Sequence, residues 1–142
     1  MIITGMSRGA VESLVRSGFG AFDWLGTGIT SSTAAANANT AATALGVLDN
    51  AEWLYDTFSG QPVSETDILI KYTWTADANL DGLVDSDDFN KFLDGYNNGL
   101  PCGAPPTWFT GDWDYNGIVD ADDFQHLLNG LAAFNASGHQ QL

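Results

Sequence analysis

Positive charge is what this chain has least of: four lysines and arginines stand against 18 aspartates and glutamates, a formal net charge of −14 over 142 residues. Nucleic acid and anionic membrane surfaces select basic patches, so neither is expected as a partner, and cations are the natural counterpart. Cysteine is equally scarce. The single Cys102 forbids an internal disulfide framework and leaves either an unpaired thiol or a disulfide between two chains. No apolar run approaches the ~18 residues of a membrane-spanning helix, so no membrane insertion is expected. The opening "MIITGMSRGA" lacks a charged segment followed by a long apolar stretch, the pattern of a secretory signal. Export would therefore require this chain to be a processed piece. The histidines are limited to His126, expected solvated on a helix, and His139, expected in a floppy tail; neither has a serine or cysteine arranged beside it for nucleophilic chemistry.

What the chain does have is crowded acid. "DANLDGLVDSDD", Asp77 to Asp88, is followed by a second such stretch, Asp112 to Asp123. Shifting the sequence against itself by 35 residues aligns "WTADANLDGLVDSDDFNKFLDG" with "FTGDWDYNGIVDADDFQHLLNG". Asp77/Asp112, Gly82/Gly117, Asp85/Asp120, Asp88/Asp123, Phe89/Phe124 and Leu93/Leu128 coincide, and Asn79/Asp114 and Asp81/Asn116 exchange only amide for carboxylate. One small unit is duplicated. Each copy reads as a 12-residue calcium loop, with oxygen side chains at positions 1, 3, 5, 9 and 12 and glycine at 6. Calcium, a hard cation, takes six to eight oxygens; alternate residues of a tight loop point inward, and the glycine permits the turn that returns the later ligands to the ion. At position 7, Leu83 and Ile118 would offer backbone carbonyls, which frees their side chains, with Val84 and Val119, for a core.

After position 9 the pattern takes a helical period, placing Phe89, Phe92 and Leu93 on one face and Phe124, Leu127 and Leu128 on its counterpart. Ser86 is the expected N-cap, and Gly95 and Gly130 are the expected stops. Each unit is thus loop then helix, while the preceding "IKYTWTA" and "PTWFTG" are extended and aromatic, unlike a full helix-loop-helix EF-hand.

Loop then helix, duplicated, with Asp at position 12, resembles the type I dockerin family. The resemblance covers roughly Trp74 to Phe134. It implies metal ligation by Asp77, Asn79, Asp81, Asp85 and Asp88 in one loop and by Asp112, Asp114, Asn116, Asp120 and Asp123 in the other, with two Ca²⁺ in all. It further implies a non-catalytic secreted module that, in cellulosomes, plugs into cohesin domains. Positions 10 and 11, where cohesin-reading members carry a Ser-Thr pair, are Ser86-Asp87 and Ala121-Asp122 here. The resemblance therefore reaches the metal sites and not the cohesin-reading surface. The wording also looks like the C-terminal regions of large secreted or surface proteins of planctomycete-type bacteria.

Upstream, "SRGAVESLVRSGFG" predicts a helix between a Ser7 cap and a Gly18 stop, with Ala10, Val11, Leu14 and Val15 on one face. Ser31 or Ser32 is placed to cap a short helix. "ALGVLDNAEWLYDTF" and "ETDILIKYTW" read as strands, the second with apolar side chains on both faces. The expected architecture is α+β: a small helix/strand segment over residues 1–73, a two-calcium module over 74–135 and a tail over 136–142.

Glycoside hydrolysis would need two carboxyls across a cleft, and outside the loops Glu12, Asp23, Asp49, Glu52, Asp56, Glu65, Asp67 and Asp94 show no such pairing, so no enzyme is expected. Trp108 and Trp113 are expected to cover the core, with sugar stacking as the alternative. Asn135-Ala136-Ser137 matches a glycan-attachment sequon. The function expected is that of an extracellular or cell-surface structural protein. Its calcium-held module would join other protein chains, either by self-assembly through strand pairing at Asp67 to Trp74 or by docking onto a cohesin-like receptor domain.

Overall fold

The computed structural model describes residues 1–97, 100 and 103–142; Cys102 lies outside them. Two strands carry the mixed α+β fold. β2 (Thr43–Asp49) and β5 (Ile68–Trp74) run antiparallel with Thr43 opposite Trp74 and Asp49 opposite Ile68, and a short β1 (Ile2–Ile3) pairs with the other side of β5. The order β1–β5–β2 explains why β5 is apolar on both faces: it is the central strand, with Ile68, Leu69 and Ile70 buried. β1 covers the outer side of β5 only from Ile68 to Ile70, so within the expected Asp67 to Trp74 segment just Lys71 to Trp74 have no described strand beside them on that side. β2 is itself buried from Thr43 to Leu48.

The part of the expected strand after Asp49 does not form. Asp49 accepts from the Ala51 N–H at 3.0 Å and turns the chain into a 3₁₀ turn over Asn50–Glu52. Buried Asn50 then fixes the return, its Nδ2 donating to Tyr55 O and Ser64 O and its Oδ1 accepting from the Tyr55 N–H. A small hairpin of β3 (Thr57–Phe58) and β4 (Gln61–Pro62) follows.

α1 (Arg8–Phe19) starts on Ser7, whose side chain accepts from the Ala10 N–H, and α2 (Ser32–Ala36) starts on Ser31 in the same way. α1 buries Val11 and Val15, but Ala10 and Leu14 face outward. It also runs past Gly18 to a left-handed Gly20. Gly18 is a packing position instead: a Cβ there would stand 2.0 Å from the Ile29 carbonyl oxygen.

The repeat supplies α3 (Ser86–Tyr96) and α4 (Ala121–Ala136). Neither helix stops at its glycine. A Cβ on Gly95 would lie 2.0 Å from Thr110 O and one on Gly130 would lie 1.7 Å from Thr75 O. Thr75 and Thr110 are themselves equivalent positions of the repeat, so each helix lays its glycine on the segment that enters the other unit's loop. The contact is a crossed, internally two-fold arrangement. Around it, one apolar core runs from Val11 and Val15 through β2 and β5 to Trp108, Trp113 and Phe134. The tail packs back rather than floating: Trp74 Nε1 donates to Gln140 O, and the Leu142 N–H donates to Gly82 O.

Candidate metal centres

Both acidic loops fold the same way, one hydrogen bond at a time. Position 1 accepts the position 6 N–H: Gly82 N–H to Asp77 Oδ2 at 2.8 Å and Gly117 N–H to Asp112 Oδ2 at 3.0 Å. Position 3 accepts from position 5, Asp81 N–H to Asn79 Oδ1 and Asn116 N–H to Asp114 Oδ1, both at 3.0 Å. Position 5 accepts from position 7, Leu83 N–H to Asp81 Oδ1 and Ile118 N–H to Asn116 Oδ1, both at 2.8 Å. The backbone is left-handed at position 4 (Leu80 φ 62°, Tyr115 φ 58°) and at the position 6 glycines (φ 89° and 87°), where a side chain costs strain.

Position 9 of each loop is also the helix start. Asp85 and Asp120 are the N-caps, accepting from the Asp87 and Asp122 N–H groups, and Asp88 and Asp123 complete reciprocal capping boxes. The cap is thus position 9, one residue before the expected Ser86, because only from there can the residue three places on return a hydrogen bond. Asp88 Oδ1 also accepts the Ala78 N–H and Asp123 Oδ1 the Trp113 N–H, which draws position 12 back over the loop beside position 1.

In the second loop Asp112, Asp114 and Asp123 bring carboxylate oxygens within 4.8 Å of one another. Asp112 is 1% exposed, and its Oδ1 is buried with no hydrogen-bond partner among the described residues. A buried, unpartnered carboxylate oxygen carries a desolvation cost unless a cation meets it. The donor set is oxygen throughout, which suits a hard divalent ion. Burial pushes Asp77, Asp112 and Asp123 up to about 7 and Asp88 up to about 8. Of the remaining positions, Asp81, Asp114 and Asp120 are half-buried and Asp85 is exposed. Val84 enters the core, while Leu83 and Val119 are half-buried and Ile118, expected to turn inward, is exposed. Compared with known proteins, the chain matches no protein family, no curated protein and no solved structure.

The acids outside the loops form a different group, which the sequence did not reveal. Arg8 reaches Glu52 Oε1 at 2.7 Å and Glu12 Oε1 at 3.9 Å; burial pushes Glu12 up to about 7. Glu52 and Asp94 line a cleft of about 470 Å³ with Arg8, Lys91 and Phe109. Arg8 and Glu52 are far apart in sequence and no local pattern joins them. Trp108 and Trp113 are fully buried, so neither presents a face for stacking on a sugar. His126 is half-buried rather than solvated, tilted against Phe22 with ring centroids 4.8 Å apart. His139 meets Asn135 Oδ1 at 2.8 Å.

Proposed function

We propose that this chain is a non-enzymatic, calcium-held structural module that works outside the cell, with a dockerin-like duplicated loop–helix unit and another protein chain as its partner. The buried, unpartnered Asp112 Oδ1 carries this reading. It sits at position 1 of a cage whose counterpart, 35 residues earlier, repeats its hydrogen bonds. Calcium outside cells is abundant, on the order of 10⁻³ M, so even weak sites of this kind stay filled there. Each ion would be held by Asp77, Asn79, Asp81, Asp88 and the Leu83 carbonyl in one loop, and by Asp112, Asp114, Asn116, Asp123 and the Ile118 carbonyl in the other, with Asp85 and Asp120 at position 9. The work of the metal is structural: it neutralises carboxylates that burial would otherwise keep protonated.

The partner is read from the outer face of α3 and α4. Phe89 and Phe124, equivalent in the repeat, are 39% and 41% exposed. With Val84, Leu127, Leu128 and Leu131 they line an apolar groove of about 420 Å³. Aspartates 85, 87 and 122 stand exposed at the helix starts beside it. A second copy would bring the same acidic rim onto this one, and a net charge of −14 opposes that. The occupant that complements it is a segment of another protein with an apolar face flanked by lysine or arginine. Docking therefore takes precedence over self-assembly into filaments, and a cohesin-like receptor domain is one such partner.

The test is light scattering coupled to size-exclusion chromatography, with calcium at about 1 mM and again with chelator. A monomer that is compact with calcium and expanded without it is the expected result. A calcium-dependent dimer or filament would hand the groove to a second copy, and an unchanged size in chelator would sink the metal-held fold.

A further inference from the structure

The two loops share their internal geometry but differ in what surrounds them. In the first loop the backbone carbonyls are held from outside. Trp108 Nε1 donates to Asp77 O at 2.7 Å, the Tyr55 hydroxyl to Asn79 O at 3.0 Å and Lys71 Nζ to Leu80 O at 3.1 Å. The tail adds Gln141 Nε2 to Asp81 O at 2.6 Å and the Leu142 N–H to Gly82 O at 3.1 Å. The position 1 carboxylate is also fully partnered: Asp77 Oδ1 accepts the Asp81 N–H, and Oδ2 accepts both the Gly82 N–H and the Thr73 hydroxyl.

Of these contacts only the Gly117 N–H to Asp112 Oδ2 bond recurs in the second loop. Among the described residues no donor from outside reaches the carbonyls of Asp112, Asp114, Tyr115, Asn116 or Gly117. In the first loop the position 5 N–H reaches Asp77 Oδ1, whereas the Asn116 N–H bonds Asp114 Oδ1 only; Trp108 stands where Thr73 would be, so Asp112 Oδ2 lacks the hydroxyl too, and Oδ1 has no partner among the described residues. The loop is anchored by the side chains of buried Trp113 and Tyr115, the latter through its hydroxyl on Leu45 O at 2.6 Å, but Asn116, Gly117 and Ile118 are exposed.

Resting on the calcium reading above, we propose that the loops have different duties: the first keeps its shape through the rest of the chain, with or without metal, and the second is the calcium-dependent one. A loop whose carbonyls are already oriented by neighbouring side chains loses little order when its ion leaves. A loop whose carbonyls no outside donor holds, closed over an unpartnered carboxylate oxygen, depends on the cation for the order of its exposed Asn116–Ile118 tip, so that order and its metal binding are one equilibrium. Thr73, Tyr55, Lys71 and Gln141 are therefore positioning residues for the first loop, and Asp112 is the residue through which the second responds to calcium.

Hydrogen exchange read by mass spectrometry on the full chain separates the two. Chelation is expected to speed exchange at least tenfold over residues 114–120 while residues 79–85 change less than about twofold. Asp112→Asn should remove the calcium-dependent protection of the second loop only. The double variant Tyr55→Phe, Gln141→Ala should make the first loop respond to chelator as the second does. Equal deprotection of both loops in the wild type would overturn this inference and leave the calcium reading standing. No calcium-dependent change anywhere, with no heat of calcium binding by calorimetry, would overturn both.

Discussion

At position 6 of each loop a glycine holds the backbone at nearly the same positive φ, yet the two sites should not respond alike to substitution. A Cβ on Gly117 would meet nothing within 4 Å, whereas one on Gly82 would stand 2.6 Å from Leu142 O. Gly117→Ala is expected to cost only the backbone strain, about 1 kcal/mol. Gly82→Ala carries the same strain and must also displace the tail, so chemical denaturation should show it to be the more destabilised by about 1–3 kcal/mol. Equal losses would mean that the tail contact contributes nothing. Single-residue chemistry of this sort was legible where spacing dictates it: the aspartates, the amides and the glycines sit where the sequence put them. Reciprocity was harder to read. Ser86 is a good capping residue in isolation, but Asp85 wins because Asp88 answers it.

Helix α4 carries Gly130 well inside its span, where alanine would ordinarily add about 1 kcal/mol of helix stability, and α3 carries Gly95 in its last turn. Here Gly95→Ala and Gly130→Ala should do the reverse, because the carbonyls of Thr110 and Thr75 occupy the space a methyl would need. Thermal unfolding should show losses of about 1–3 kcal/mol for either; a gain for either would show that the crossed contact is slack. From sequence the same glycines look like helix stops, since a stop and a close approach both call for a missing side chain. Strand β5 fared better at this scale. Alternation identified β5 and its two apolar faces, but pairing partners are non-local, and its place at the centre of the sheet emerged only with β1 and β2 on either side.

For the molecule as a whole, protons and the proposed calcium ions would compete for the same oxygens. Burial raises Asp77, Asp112 and Asp123 to about 7 and Asp88 to about 8 from an ordinary value of 3.8. The folded, metal-free chain thus keeps protons that the unfolded chain has already released. By linkage its stability is greatest near the unfolded carboxylate range and falls as pH rises through 7 to 8. In chelator the melting temperature should drop between about pH 5 and pH 8, and in millimolar calcium that drop should disappear, because the ion replaces the protons. A melting temperature in chelator that climbs with pH would contradict this. The mixed α+β class and the presence of two equivalent acidic loops were both readable in the amino-acid order. The support of the first loop by Tyr55, Lys71 and the tail was not, since those contacts join segments that no local pattern relates.

The crossing of the two helices has a consequence for ancestry. Each unit places its glycine against its sibling and not against itself, so a lone unit from before the duplication would have had to find that surface on a second chain. Residues 74–136 then read as such a pair fused end to end, and the separate expression of residues 74–97 and 107–136 as two peptides that reassociate would recreate it.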